Sequence, residues 1–106
     1  MIRALFVCTH NRRRSPTAEH VFAQRPGVQS DSAGLGHDAD VQLAPEQLAW
    51  ATIVFVMERK QRTLLSQRFR AHLNGKKVVC LDIPDDYGYL QAELIALLER
   101  KVTPYL

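Results

Sequence analysis

An unbroken apolar run in the middle of the chain most constrains the fold. Residues 52–57 read Thr-Ile-Val-Phe-Val-Met, a β-branched and aromatic segment with no charged residue. A strand with one face in water would alternate apolar and polar side chains, so continuous apolar character indicates a strand that is buried on both faces. Such strands occur in parallel sheets that are covered by helices on both sides. The run therefore predicts an α/β protein.

Segments typical of strands and of helices alternate along the whole chain. Strands are predicted at residues 2–7, 28–31, 52–57 and 76–81, and helices at residues 15–25, 45–50, 58–73 and 90–98. Ser15 followed by proline is typical of a helix start, with the serine as cap residue. The βαβαβαβα order predicts one three-layer αβα domain over residues 1–106. Its four-stranded parallel sheet is expected in the order 2-1-3-4, with right-handed crossovers and helices on both faces.

Length and charge narrow the class of protein further. A chain of 106 residues is long enough for one hydrophobic core. No apolar stretch approaches the ~20 residues that span a bilayer. The first residues lack the features of a signal peptide, so we expect a cytoplasmic protein without a membrane partner. The net charge of +3 suits an anionic substrate, although on charge alone a slightly basic surface is the simpler explanation.

The segment with the most distinctive chemistry joins the first strand to the first helix. It reads Cys-Thr-His-Asn-Arg-Arg-Arg-Ser over residues 8–15, and we call it the cysteine loop. Backbone amides on such a loop can turn inward and bind an anion, and the helix start adds unpaired amides and the positive end of its dipole. This field favours the thiolate form of Cys8. Arg14 lies where the loop closes, and its planar guanidinium can hold two phosphate oxygens.

These residue types are suited to phosphoryl transfer. Cys8 can attack phosphorus and form a phosphocysteine, while Arg14 and the amides stabilise the equatorial oxygens. The Ser15 hydroxyl can donate to the sulfur when it leaves. A Cys-x5-Arg-Ser pattern also occurs by chance, and a cysteine that ends a buried strand is more often an inert core residue. The preceding strand and the following helix start are the context that the mechanism requires, so they favour catalysis.

The cysteine loop resembles the signature loop of the low-molecular-weight protein tyrosine phosphatase family. Cys8, Asn11, Arg14, Ser15 and Pro16 match that loop residue by residue, at the same place after the first strand. The resemblance implies that Cys8 is the nucleophile and Arg14 the phosphate ligand, with Asn11 and Ser15 bracing the loop. It also implies the activity of a phosphomonoester hydrolase, in particular a protein tyrosine phosphatase.

The resemblance continues into the second strand. Residues 31–34, Asp-Ser-Ala-Gly, match a family segment whose serine hydrogen-bonds the loop asparagine, and Ser32 takes that place here. We expect the other residues of the cysteine loop to contact the substrate as well. They are Thr9, His10, Arg12 and Arg13.

The proton for the leaving oxygen is expected from the loop before the last helix. The family has Asp-Pro-Tyr there, and residues 84–87 read Pro-Asp-Asp-Tyr. Asp85 aligns with the family acid, Asp86 is the second candidate and Asp82 the third. Adjacent aspartates are also common in turns. Tyr87 is expected at the mouth of the pocket, unless it packs against the last helix.

The chain departs from the family pattern at three places. Arg13 stands where a second cysteine is usual, so no neighbouring thiol can protect Cys8 in a disulfide, and we expect easier irreversible oxidation. His10 replaces a glycine of the loop. The segment after Gly34 is short and lacks the usual aromatic wall of the pocket, which leaves a preference for phosphotyrosine open.

Two other functions stay open at this point. A thiol-dependent arsenate reductase would need Cys80 as a resolving cysteine, but the predicted strand order separates it from Cys8 by two strand spacings, roughly 9–10 Å. A disulfide needs Cα atoms within about 7 Å, so Cys80 is expected to pack in the core. A phosphate- or RNA-binding module would need neither Cys8 nor Asp85. We expect a phosphorylated protein or a small phosphomonoester as substrate, and no nucleic acid, metal or cofactor.

Overall fold

Four parallel strands form the centre of the computed structural model, which describes all 106 residues. The strands are β1 (Ile2–Cys8), β2 (Val28–Gly34), β3 (Ile53–Val56) and β4 (Lys77–Cys80). The helices are α1 (Arg14–Phe22), α2 (Pro45–Trp50), α3 (Arg59–Phe69) and α4 (Ala92–Val102), with 3-10 turns at Arg70–His72 and Thr103–Tyr105. The strand order β2-β1-β3-β4 confirms the predicted topology.

The sheet buries both of its faces, as the apolar run at residues 52–57 predicted. On one face, Phe6 and Phe55 stack with ring centroids 5.2 Å apart, and Phe22 of α1 stacks on Phe6 at 5.6 Å. Leu94 and Leu98 of α4 complete this cluster. Each of these large side chains contributes about 1.5–3 kcal/mol by leaving water.

The other face of the sheet packs against α2 and α3. Leu5 and Val7 of β1 meet Leu48 of α2 and Leu65 of α3 there, and all four are buried. Successive residues of β1 thus point to opposite clusters, because side chains alternate along a strand. Helices cover both faces, which confirms the three-layer arrangement.

The carboxyl ends of the strands meet at one edge of the sheet. Cys8, the last residue of β1, pairs with Gly34 of β2, and Val7 pairs with Val56 of β3. Ligands of open α/β sheets bind at this edge. The cysteine loop and the segment before α4 both start here.

Three helices differ in their bounds from the sequence prediction. The first helix begins at Arg14, and its cap residue Arg13 makes no side-chain capping bond. Ser15 lies inside the first turn and its hydroxyl points to the cysteine sulfur, so the predicted serine cap is wrong. The third helix ends at Phe69 before a 3-10 turn. Leu90 has φ 59, which is a left-handed backbone conformation and not a helical one, and α4 starts at Ala92. None of the helices has the length and apolar character needed to cross a membrane.

Candidate active site

The cysteine loop wraps around the sulfur of Cys8. This residue is only 3% exposed. Its Sγ lies 2.9 Å from the Ser15 hydroxyl and accepts a hydrogen bond from the Asn11 backbone N–H at 3.2 Å. The Ser15 hydroxyl can also donate to the sulfur, and donation from either group stabilises negative charge on it.

Six backbone N–H groups of the cysteine loop have no partner within the protein. They belong to residues 9, 10 and 12–15, which donate neither to the backbone nor to a side chain. The last two also open α1, where the helix dipole is positive. Free amides around a helix N-terminus form an anion-binding nest. The predicted nest is therefore available for a phosphate.

A chain of buried hydrogen bonds holds the cysteine loop in shape. Asn11 has a left-handed backbone with φ 55. Its Nδ2 donates to the hydroxyls of Ser15 and Ser32, at 2.9 Å each. Ser32 in turn donates to the Glu19 carboxylate at 2.5 Å. The predicted bracing by Asn11, Ser15 and Ser32 thus has the expected geometry, and Ser32 does not itself line the cleft over Cys8. Glu19 was missed, although it lies one helical turn after Ser15.

Hydrogen bonds to two other segments of the chain hold the Arg14 side chain in place. Its side chain is 3% exposed, and its Nη1 donates to the Glu58 carboxylate at 2.5 Å and to the Ile83 carbonyl at 2.7 Å. Nε faces the Asp85 carboxylate at 3.6 Å. The guanidinium is therefore fixed on one edge and free to bind an anion with the other. Sequence reasoning treated Glu58 only as a helix start, because nothing local links it to Arg14.

Asp85 is the one candidate acid that reaches the cleft over Cys8. Its two carboxylate oxygens lie 3.6 Å from Arg13 Nη2 and from Arg14 Nε. Asp86 is exposed and outside the cleft. Asp82 lies beside Arg59, away from the sulfur. The geometry thus favours Asp85, whose role stays a prediction.

The side chains that line this cleft are Cys8, His10, Arg12, Arg13, Arg14 and Asp85. Two other candidates point elsewhere. The Thr9 hydroxyl accepts a hydrogen bond from Gln61 on the far side of the loop, at 3.2 Å. Tyr87 is half-buried and packs against the core cluster of the α1 and α4 face, which is the alternative that the sequence left open. Thr9, Asn11 and Ser32 can contribute to phosphate binding only through the loop backbone or its shape.

The short segment after β2 is tied directly to the cysteine loop. Gly36 N donates to Thr9 O at 2.8 Å, and Asp40 N donates to His10 O at 3.1 Å. The His10 ring pairs with Asp38 at 3.2 Å. Desolvation opposes ionisation of Asp38. The hydrogen bond with His10, a backbone hydrogen bond and the nearby charges of His10 and Arg12 together outweigh that effect and hold the pKa of Asp38 below its ordinary value.

Comparisons with known proteins agree with this fold. No family model matches the chain. A protein-arginine-phosphatase of Geobacillus stearothermophilus is 34% identical over 91 residues, which cover 63% of this chain and 62% of that protein. The YwlE arginine phosphatase structure from the same organism superposes with a TM-score of 0.78 at 27% identity, covering 99% of this chain and 93% of that one. A low-molecular-weight protein tyrosine phosphatase from T. tengcongensis gives a TM-score of 0.76 at 24% identity, covering both chains completely.

The chain has the fold of the low-molecular-weight protein tyrosine phosphatases and is similar in sequence to an arginine phosphatase. The resemblance inferred from the cysteine loop is thereby confirmed. The matched segment spans 62% of the curated relative, whereas the structural match spans almost all of both chains.

Within this family fold, Cys80 is remote from the candidate nucleophile. Cys8 points into the cluster beneath α1 and α4, whereas Cys80 is half-buried against the cluster on the opposite face. β3 also lies between their strands. Burial raises the pKa of the Cys80 thiol, and the adjacent Asp82 carboxylate at 3.5 Å adds to the effect. An arsenate reductase mechanism with Cys80 as resolving cysteine therefore has no support in this structure.

Proposed function

We propose that this protein is a cysteine-dependent phosphatase that hydrolyses phosphomonoesters of phosphorylated proteins or small molecules. The observation that carries the proposal is the position of Cys8 beneath six unpaired amides and the buried Arg14. A phosphate dianion bound there would have its phosphorus directly above the sulfur. A binding module would need neither this sulfur nor the carboxylate of Asp85 in the same cleft.

The first step would transfer the phosphoryl group to the enzyme. The Cys8 thiolate attacks phosphorus, so a P–S bond forms while the ester P–O bond breaks. The leaving oxygen takes the proton of Asp85, which becomes a carboxylate. Arg14 and the loop amides stabilise the three equatorial oxygens, where charge develops in the transition state.

The second step would release phosphate. Water attacks phosphorus, gives a proton to the Asp85 carboxylate, and the P–S bond breaks. The Cys8 thiolate leaves, and donation from Ser15 across the 2.9 Å contact stabilises it. Both groups then return to their starting protonation states, so no cofactor is consumed.

Hydrolysis of 4-nitrophenyl phosphate by the purified protein tests the proposal. We expect turnover by the wild-type protein, loss of turnover in Cys8→Ser, and wild-type turnover in the control Cys80→Ser. Quenching during turnover should trap a phosphocysteine at Cys8. Full activity of Cys8→Ser, or no hydrolysis of any phosphomonoester by the wild-type protein, would overturn the proposal.

A further inference from the structure

The outer part of the cleft over Cys8 is basic. Arg14 is buried and faces the phosphate position, whereas the side chains of Arg12 and Arg13 are 50% and 51% exposed. No aliphatic side chain and no phenyl, phenol or indole ring lines this cleft. A substrate group that extends beyond the phosphate therefore meets guanidinium groups.

The nearest aromatic side chains are turned away from the cleft. Tyr87 packs against the core. Tyr89 lines a separate groove with Pro16 and His20. His37 lines a cleft on the far side of the cysteine loop. No phenyl, phenol or indole ring is therefore placed to stack on the ring of an aryl phosphate, and the His10 imidazole is the one aromatic group that lines the cleft.

The Arg12 guanidinium is held in place from outside the cleft. Its Nε donates to Asp40 at 3.1 Å and its Nη2 donates to the Asp38 carbonyl at 2.9 Å, while Nη1 has no partner. Neither aspartate lines the cleft, and Asp85 is the only carboxylate that does. A substrate therefore meets the guanidinium of the Arg12–Asp40 pair and not its counterion.

Arg13 depends on Asp85 for its only ion pair, at 3.6 Å. Asp85 is neutral whenever it carries the proton for the leaving oxygen. Arg13 then has no counterion when the substrate binds, before the proton is transferred. The substrate-bound cleft thus presents two outer guanidinium groups with free N–H donors.

We propose that Arg12 and Arg13 select phosphate esters with a second anionic group beside the scissile phosphate, and select against phosphoarginine. The inference rests on the proposed phosphatase activity. A carboxylate or second phosphate would accept charge-assisted hydrogen bonds from the outer guanidiniums. The guanidinium of phosphoarginine would instead be repelled by like charge. A small bisphosphate and an acidic phosphopeptide both offer the favoured chemistry.

Three aryl phosphates of similar shape separate charge from size. We would measure kcat/KM for 3-carboxyphenyl phosphate, 3-carbamoylphenyl phosphate and 3-(aminomethyl)phenyl phosphate, with phosphoarginine as a fourth substrate. The anionic ester should be preferred over the neutral amide by about 10-fold, the effect of one charge-assisted contact. Arg12→Gln and Arg13→Gln should each reduce that ratio several-fold. Arg100→Gln, an exposed arginine at the end of α4, should leave both the ratio and the activity unchanged.

The outcomes separate this inference from the proposed function. Equal kcat/KM for the three esters, or faster hydrolysis of phosphoarginine than of the anionic ester, would overturn the selectivity and leave the phosphatase intact. A wild-type protein inactive on all substrates would overturn both. The preference should also weaken between 0.05 and 0.5 M salt, since screening acts on exposed charges over about 10 Å at 0.1 M.

The same assay with natural-like substrates distinguishes the source of the anion. Peptides with one phosphotyrosine flanked by aspartates or by lysines are compared with a small bisphosphate and its monophosphate. A preference for the more negatively charged member of either pair supports the inference and identifies the kind of substrate. No preference in both pairs would contradict it.

Discussion

Asn11 gives the sharpest test of how the cysteine loop is held. It is 5% exposed, its φ is 55, and its Nδ2 donates to two buried hydroxyls at 2.9 Å. Asn11→Ala removes both hydrogen bonds. It also forces an alanine, which has no side-chain hydrogen bond to compensate, into the left-handed backbone region. Asn11→Gly removes the same bonds but tolerates that backbone conformation.

The expected loss follows from these contacts. Two net hydrogen bonds at about 0.5–1.5 kcal/mol each, together with about 1 kcal/mol for an alanine in the left-handed region, give about 2–4 kcal/mol for Asn11→Ala. Asn11→Gly should be about 1 kcal/mol more stable than the alanine variant, because glycine adopts φ > 0 without that penalty. For a domain of this size, such a loss lowers Tm by on the order of 10–25 °C.

Urea unfolding followed by circular dichroism measures these differences at constant m value. Asn74→Ala is the matched control, since Asn74 is exposed and makes no side-chain hydrogen bond. Its free energy of unfolding should stay within about 0.5 kcal/mol of that of the wild type. An Asn11→Ala variant as stable as the control, or a glycine variant less stable than the alanine variant, would refute the account of the loop. Both Asn11 variants should also lower kcat, because the amides lose their fixed arrangement.

Three further predictions concern the acid, the neighbouring strand and the second thiol. Asp85→Asn should reduce kcat at least 10-fold more for phenyl phosphate than for 4-nitrophenyl phosphate, because the leaving group of the second ester needs little protonation. Asp86→Asn should leave kcat for both esters unchanged. Equal effects of Asp85→Asn on the two esters would exclude Asp85 as the acid. Gly34→Ala should lower both Tm and kcat, because a β-carbon there would lie 2.6 Å from the Thr9 carbonyl oxygen. In the control Gly88→Ala the new β-carbon makes only an ordinary 3.7 Å contact, so Tm and kcat should stay unchanged. The raised pKa of Cys80 keeps its thiol protonated at pH 7, so iodoacetamide should modify Cys80 slowly at pH 7 and faster as the pH rises past 9. Peptide mass spectrometry measures the labelling, and rapid labelling of Cys80 at pH 7 would contradict its half-buried position beside Asp82.

The sheet topology was predictable because its signals are local. The apolar run at residues 52–57 requires burial on both faces, and the alternating segments permit few parallel arrangements. The position of Cys8 at the end of a strand and the spacing to Arg14 likewise belong to one continuous segment. The cap assigned to Ser15 was wrong because a cap preference ignores the sulfur that competes for the same hydroxyl.

The sequence by itself determined the α/β class, the strand order and the identity of the cysteine loop, since hydrophobic periodicity and loop spacing are written along the chain. Tertiary structure alone decided what surrounds that loop. Glu58 reaches Arg14 across 44 positions, and Glu19 reaches Ser32 across 13, through contacts that no periodicity encodes. It also decided that Asp85 lines the cleft over Cys8 while Tyr87 packs against the core, because the direction of a side chain in an irregular loop is set by the packing of distant elements.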